Sequence, residues 1–165
     1  MTAPANDDPA SRLPVTKVEF ERLTADHDKC IEADIRWTDD EDHSPAVQFR
    51  AEVRSDPGYP IFVNGRFNAL AGTLSFTLVH RTTGRIYGLD LGADHHNPTC
   101  NCVGEKHEHR WSDAWKDKDA YVPDDITAGV DAVRDVWRQF CDEAKIIHRG
   151  RSDDPPFTSL ADAGL

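Results

Sequence analysis

The chain has 165 residues, of which 38% are hydrophobic and 30% charged, and a formal net charge of −11. That length suits one domain, and it can bury a core without disulfides or metal. The acidic balance excludes a broadly basic nucleic-acid-binding surface, since that affinity comes from Lys and Arg contacts that release counterions. It leaves two options, a local basic patch working against the overall field or a basic protein partner.

Residues 1–14 are rich in Ala, Asp and Pro and are expected to form a disordered tail. Residues 15–149 are expected to form a single domain, and residues 150–165, with Asp153-Asp154-Pro155-Pro156, a second flexible tail. The first 14 residues have no apolar signal core, and no apolar run approaches membrane-spanning length. The expected setting is cytoplasmic and away from the membrane. Cys30, Cys100, Cys102 and Cys141 are then free or metal-bound thiols.

Thr16 caps an expected short helix carrying Val18, Phe20 and Leu23. Ile31 to Thr38 and Ala46 to Ser55 read as strands, the second with Val47, Phe49, Ala51 and Val53 alternating against polar residues. Ile61 to Val63 reads as a short strand that Asn64-Gly65 turns back. A hairpin follows. Leu70, Gly72, Leu74, Phe76, Leu78 and His80 share one face, Thr82-Thr83-Gly84 turns the chain, and Tyr87, Leu89 and Leu91 return. Pro123-Asp124-Asp125 then starts a helix with Ile126, Val130, Val133, Trp137, Phe140 and Ala144 on its buried face and Cys141 beside it. The predicted fold is α+β, an antiparallel sheet of about four to six strands packed on a C-terminal helix.

The stretch from Asp94 to Tyr121 holds four of the eight histidines and two of the four cysteines. On a strand, Glu105, His107, His109 and Trp111 would all point to one side. Two imidazoles at that spacing can share a metal ion, with His96, Cys100 and Cys102 as further ligands and zinc as the candidate cofactor. They can equally act without metal, as general base and general acid on a phosphodiester. His107 and His109 would be that pair, His96 would assist, Arg110 or Arg85 would supply the cation, and Tyr121 a further donor. Taken singly, the remaining histidines read as satisfied surface residues, and Glu105 and Glu108 as imidazole partners or solvated surface.

The run Arg85 to Leu91, His96-Asn97-Pro98, Gly104, His107-x-His109 and Asp117-Lys118-x-Ala120-Tyr121 resembles a family of small uncharacterised proteins of bacterial prophages and mobile elements. That family reads His-x-Asn-Pro-Asp-Gly, then Pro-His-x-His and an aromatic, then Asp-Lys-Trp-Ala. Here Thr99-Cys100 replaces its Asp-Gly, Lys106 its Pro and Asp119 its Trp, so the cysteines are peculiar to this chain. The resemblance covers the middle and C-terminal half. It implies a phage or mobile-element context and carries over His96, Asn97, His107 and His109. The histidine order is also similar to a family of small addiction toxins, by pattern alone. The half-match of Asp94-His95-His96 to HNH nucleases fails, because the following helix offers no second ligand.

Two functions follow as expectations. One is a ribonuclease-like toxin or nucleic-acid-processing accessory protein, an endoribonuclease acting on RNA through His107 and His109. The other is a non-enzymatic acidic protein that binds a basic host or defence partner, its histidine loop structural and zinc-bound or metal-free. They differ in local charge. The first needs Arg50, Arg54, Arg66, Arg85 and Arg110 near the histidines, and the second needs ordered rows of carboxylates.

Overall fold

A computed structural model describes residues 16–92, 104–112 and 116–156. Helix α1 (Lys17–Ala25) begins as its sequence predicts, with a reciprocal capping box between Thr16 and Glu19. Phe20 and Leu23 are its buried residues, while Val18 stays exposed. The end of α1 is closed by the fully buried Lys29, whose Nζ donates to the carbonyls of Leu23 and Asp26 at 2.7 Å each. Those carbonyls have no partner within the helix, so the ammonium takes the role of a cap.

The strands are β1 (Lys29–Ile31), β2 (Thr38–Asp39), β3 (Val47–Val53), β4 (Ile61–Asn68), β5 (Thr73–His80), β6 (Gly84–Leu91), β7 (Lys106–Ser112) and β8 (Lys116–Tyr121), followed by helix α2 (Val133–Ala144) and strand β9 (Ile146–His148). Strands β2 to β8 form one seven-stranded antiparallel meander in chain order, and β1 pairs with β9 in parallel. The fold is therefore α+β, with a larger sheet than predicted because the histidine stretch contributes β7 and β8. Among the described residues no helix is long and apolar enough to cross a membrane.

Three predicted elements differ from the structure. Ile31 to Thr38 is not one strand, because the segment changes partner midway: Ile31 pairs with β9 and Thr38 with β3. Asn64-Gly65 lies inside β4, where Gly65 faces Phe49 on β3. A Cβ on Gly65 would stand 2.0 Å from the Phe49 ring, so this glycine makes room for an aromatic neighbour and does not turn the chain. The C-terminal helix starts at Val133, well after Asp124. The Gln139 side chain accepts from the amides of Thr127 and Ala128, and Lys106 donates to the Ile126 carbonyl, which diverts the preceding segment from helical bonding. In addition, part of the predicted C-terminal tail is paired: Ile35 and Arg151 share a backbone bond, as do Asp153 and Ile35.

One face of the meander carries the core. Phe49, Phe76 and Tyr87 meet Trp137 and Phe140 of α2, with ring centroids 5.1 to 5.7 Å apart. Pairs of this kind contribute about 0.5–1.5 kcal/mol each beyond area burial. Cys141 is buried beside them, and burial pushes its thiol far up, which fits a packing residue.

The opposite, outer face is polar, and the register orders it. Directly opposed residues on antiparallel strands share a face. Gln48, Arg66, Ser75, Asp90 and His107 therefore form one row across β3 to β7. Arg50, Asn64, Thr77, Gly88 and His109 form the next.

Candidate functional site

Strands β6 and β7 end these rows with a cluster. Asp90 lies opposite His107, and His109 lies two residues further along, opposite Gly88. Both imidazoles point their Nε2 at one carboxylate oxygen, Asp90 Oδ2, at 3.5 Å from His107 and 3.2 Å from His109. The rings are 5.0 Å apart, and both side chains are 3% exposed.

Arg85 reaches the same oxygen with Nη1 at 3.5 Å, and its Nη2 lies 3.5 Å from His109 Nδ1. A β-bulge explains its presence. Strict alternation would put Arg85 on the inner face with Tyr87, but the register shifts between Leu78 and Val79, so that Arg85 opposes Val79 on the outer face. Gly88 leaves room for its stem, since a Cβ there would stand 3.2 Å from Arg85 Cδ.

The tautomer of His107 follows from its other nitrogen. Nδ1 lies 2.9 Å from the Gly104 carbonyl, which can only accept, so Nδ1 carries a proton and Nε2 is left facing Asp90. A neutral imidazole would thus aim a lone pair at a carboxylate, a conflict resolved either by a proton on Nε2, which lets His107 donate to Asp90, or by a bound cation. Burial alone would raise the Asp90 carboxyl. The hydrogen bonds of His107 and His109, with the charges of His109 and Arg85, outweigh burial and hold it well below the usual carboxylate range.

The same three residues have metal-ligand geometry. Their ligand atoms lie within 4.8 Å of one another. Tetrahedral ligands bound at about 2.0–2.1 Å stand about 3.3 Å apart, close to the two separations at Asp90 Oδ2. The Gly104 carbonyl supplies the outer-shell acceptor that ligating imidazoles use to fix their orientation.

The other predicted site residues divide into two groups. His96, Cys100 and Cys102, together with Asn97, lie outside the described residues. Arg110 and Tyr121 are described, and they do not join the histidines. Arg110 and Tyr121 side chains belong to the inner face, where the guanidinium stands 4.5 Å from the Tyr121 ring. The Tyr121 hydroxyl donates to Glu108 Oε2, and the Tyr87 hydroxyl donates to Glu108 Oε1 at 2.9 Å. Glu108 is fully buried, neither solvated nor an imidazole partner. Burial, and next the neighbouring Glu143 carboxyl, push Glu108 far up, against the opposing pull of the two tyrosines.

Sequence reasoning missed Asp90. Its signal is a carboxylate held between Leu89 and Leu91 in an alternating strand, but only the register shows what it opposes. Of the remaining described histidines, His27 is exposed and three have ordinary partners. His43 contacts Asp40, His80 accepts from the amides of Thr82 and Thr83, and His148 accepts from Trp137 Nε1.

Fold and site together define an α+β meander domain with a two-histidine, one-carboxylate cluster on its outer face. The chain belongs to the family described as a family of unknown function, DUF6978, whose model matches residues 16–146. No curated protein and no solved structure matches the chain.

Proposed function

We propose that this domain is a metal-dependent phosphodiesterase acting on RNA, with Asp90, His107 and His109 as the metal ligands. The observation that carries the reading is the convergence of both Nε2 atoms on Asp90 Oδ2, with the His107 tautomer fixed by Gly104. Three protein ligands would leave a position for water, and a zinc-like ion held there would supply water activation near neutral pH. Arg85 beside the ligands favours an anionic substrate and suits the charge that develops on a phosphoryl group.

The charge arrangement supports this reading over a non-enzymatic acidic protein that binds a basic partner. Arg50, Arg66 and Arg85 share the histidine face, whereas Arg54 pairs with Glu32 and Arg110 lies on the inner side. The two rows that end at His107 and His109 carry amides, hydroxyls and guanidiniums with Asp90 their single carboxylate, and the adjoining row, which ends at Arg85, adds Glu52. A phage or mobile-element setting remains the expectation drawn from the resemblance.

The test is elemental mass spectrometry on tag-free protein, followed by single-stranded RNA cleavage with and without added zinc or manganese. The expected result is about one metal per chain, lost in Asp90→Asn and His109→Ala, with cleavage lost alongside. Metal-free protein that takes up neither ion overturns the reading, as does full cleavage by both variants.

A further inference from the structure

We infer that the outer face of β2 to β5 is the track along which a single-stranded RNA backbone lies on its way to the Asp90 centre. The inference rests on the proposed function and names how its substrate is held. A concavity of about 530 Å³ runs over this face. Its polar lining is Thr38, Gln48, Arg50, Asn64, Arg66, Ser75 and Thr77, without a carboxylate, in a chain whose net charge is −11. The lining itself carries no carboxylate, and the nearest ones, Glu52 and Asp40, stand at its border paired with Arg50 and Arg66, so on so acidic a molecule a polyanion meets less repulsion here than elsewhere.

The rows give the track a direction. Ser75 on its edge lies directly opposite Asp90, and Thr77 opposite Gly88, so the concavity ends where the cluster begins. With strands about 4.8 Å apart, Arg66 stands about 14 Å from His107 and Arg50 about 19 Å from His109. The two guanidiniums thus hold the backbone at a distance while the cluster receives a phosphodiester.

Both arginines keep donors for phosphate while holding their present partners. Arg50 stands 3.7 Å from Glu52 and Arg66 stands 3.4 Å from Asp40, each through one nitrogen, with the guanidinium side chains about half exposed. The Arg50–Glu52 pair is exposed on both sides and is worth at most about 1 kcal/mol, whereas Asp40 is buried and keeps His43 as its other partner. Bidentate phosphate contacts are stronger.

The chemistry of the lining also favours RNA. Three hydroxyls and two amides both donate and accept, as a ribose 2′-hydroxyl requires. The outer-face aromatic Phe62 is buried under the guanidiniums of Arg50 and Arg81, at 3.5 and 5.1 Å from its centroid, so it offers bases no open stacking face. Recognition is therefore of the backbone, with little base preference and a marked salt dependence.

The experiment is fluorescence anisotropy with a labelled twelve-nucleotide oligouridylate across a salt series. It compares the wild type, Arg50→Ala/Arg66→Ala, and the charge-matched control Arg54→Ala/Arg138→Ala. Each phosphate contact contributes about −0.7 to the single-strand salt slope, so the first double variant should lose about 1.4 of slope and at least about tenfold in affinity at low salt. Its metal content and melting temperature should match the wild type, and the control should bind as the wild type does. Equal loss in both double variants, no RNA binding by the wild type, or equal affinity for the matching deoxy-oligonucleotide overturns the inference. Asp90→Asn separates the two readings. Loss of metal and cleavage with RNA binding retained supports the track, whereas RNA binding that survives Arg50→Ala/Arg66→Ala in a metal-loaded, active enzyme sinks the track and leaves the centre standing.

Discussion

Strand β7 presents two polar clusters back to back, and they treat a carboxyl withdrawn from water, half-buried in one and fully buried in the other, in opposite ways. On the outer side Asp90 faces two imidazoles and a guanidinium and is held far down. On the inner side Glu108 faces two phenols and a second carboxyl and is pushed up. Burial opposes ionisation in both places, so the neighbours decide the outcome. The outer cluster keeps one carboxylate ionised between two imidazoles, the donor set a cation would use. The inner cluster holds a proton and ties β6, β7 and β8 together around one side chain.

The comparison can be broken most strongly by removing the cation. If the metal is present at about a thousand times its dissociation constant, a chelator should remove about 4 kcal/mol of stability. Urea unfolding with and without chelator measures this, and Asp90→Asn should abolish the chelator effect. Next in size is Glu108→Ala, which leaves both phenols without an acceptor and opens a cavity. A loss of about 3 kcal/mol in urea unfolding is expected, with metal content unchanged.

A separate test concerns pH. The folded state raises the Glu108 carboxyl from 4.5 to about 8, so it binds a proton that the unfolded chain has released. That stabilisation is complete below the unfolded value and disappears as pH rises through the folded one. Glu108→Gln keeps the uncharged form throughout. Relative to the wild type it should gain stability as pH rises from 4.5 to about 8 and level off above that in urea titrations. The smallest effect is Tyr121→Phe, which deletes one hydroxyl from Glu108 and should cost about 1 kcal/mol at pH 6, with metal binding unaffected.

Alternation made much of the sheet readable. Val47 to Val53 and Leu74 to His80 follow the two-residue period, because one face is buried and the other is wet. The period weakens in β7, where His107, Glu108 and His109 are all buried and both faces are covered. A strand with polar residues on two buried faces carries no hydrophobic rhythm. The pairing of His107 with His109 could still be read from spacing, whereas Asp90 could not, since only register sets it opposite His107. Arg85 needed the bulge as well, and Tyr121 was assigned to the histidines although its register with Glu108 puts it on the other face. Asn64-Gly65 misled for a related reason: its glycine answers to Phe49 on the neighbouring strand, which no local motif encodes.

The meander and the β1–β9 pair differ in how far the chain must travel to make them. Strands β2 to β8 each join a neighbour in sequence, so the large sheet can assemble from local hairpins. The parallel pair is the opposite case, for Glu32 beside β1 and Arg149 beside β9 are 117 positions apart. Such a closure carries the larger loop entropy and forms late. The same ordering works in reverse in the native protein. Amides of β1 and β9 should exchange with solvent through an opening that leaves the hairpins intact, and with them the polar rows that end at Asp90.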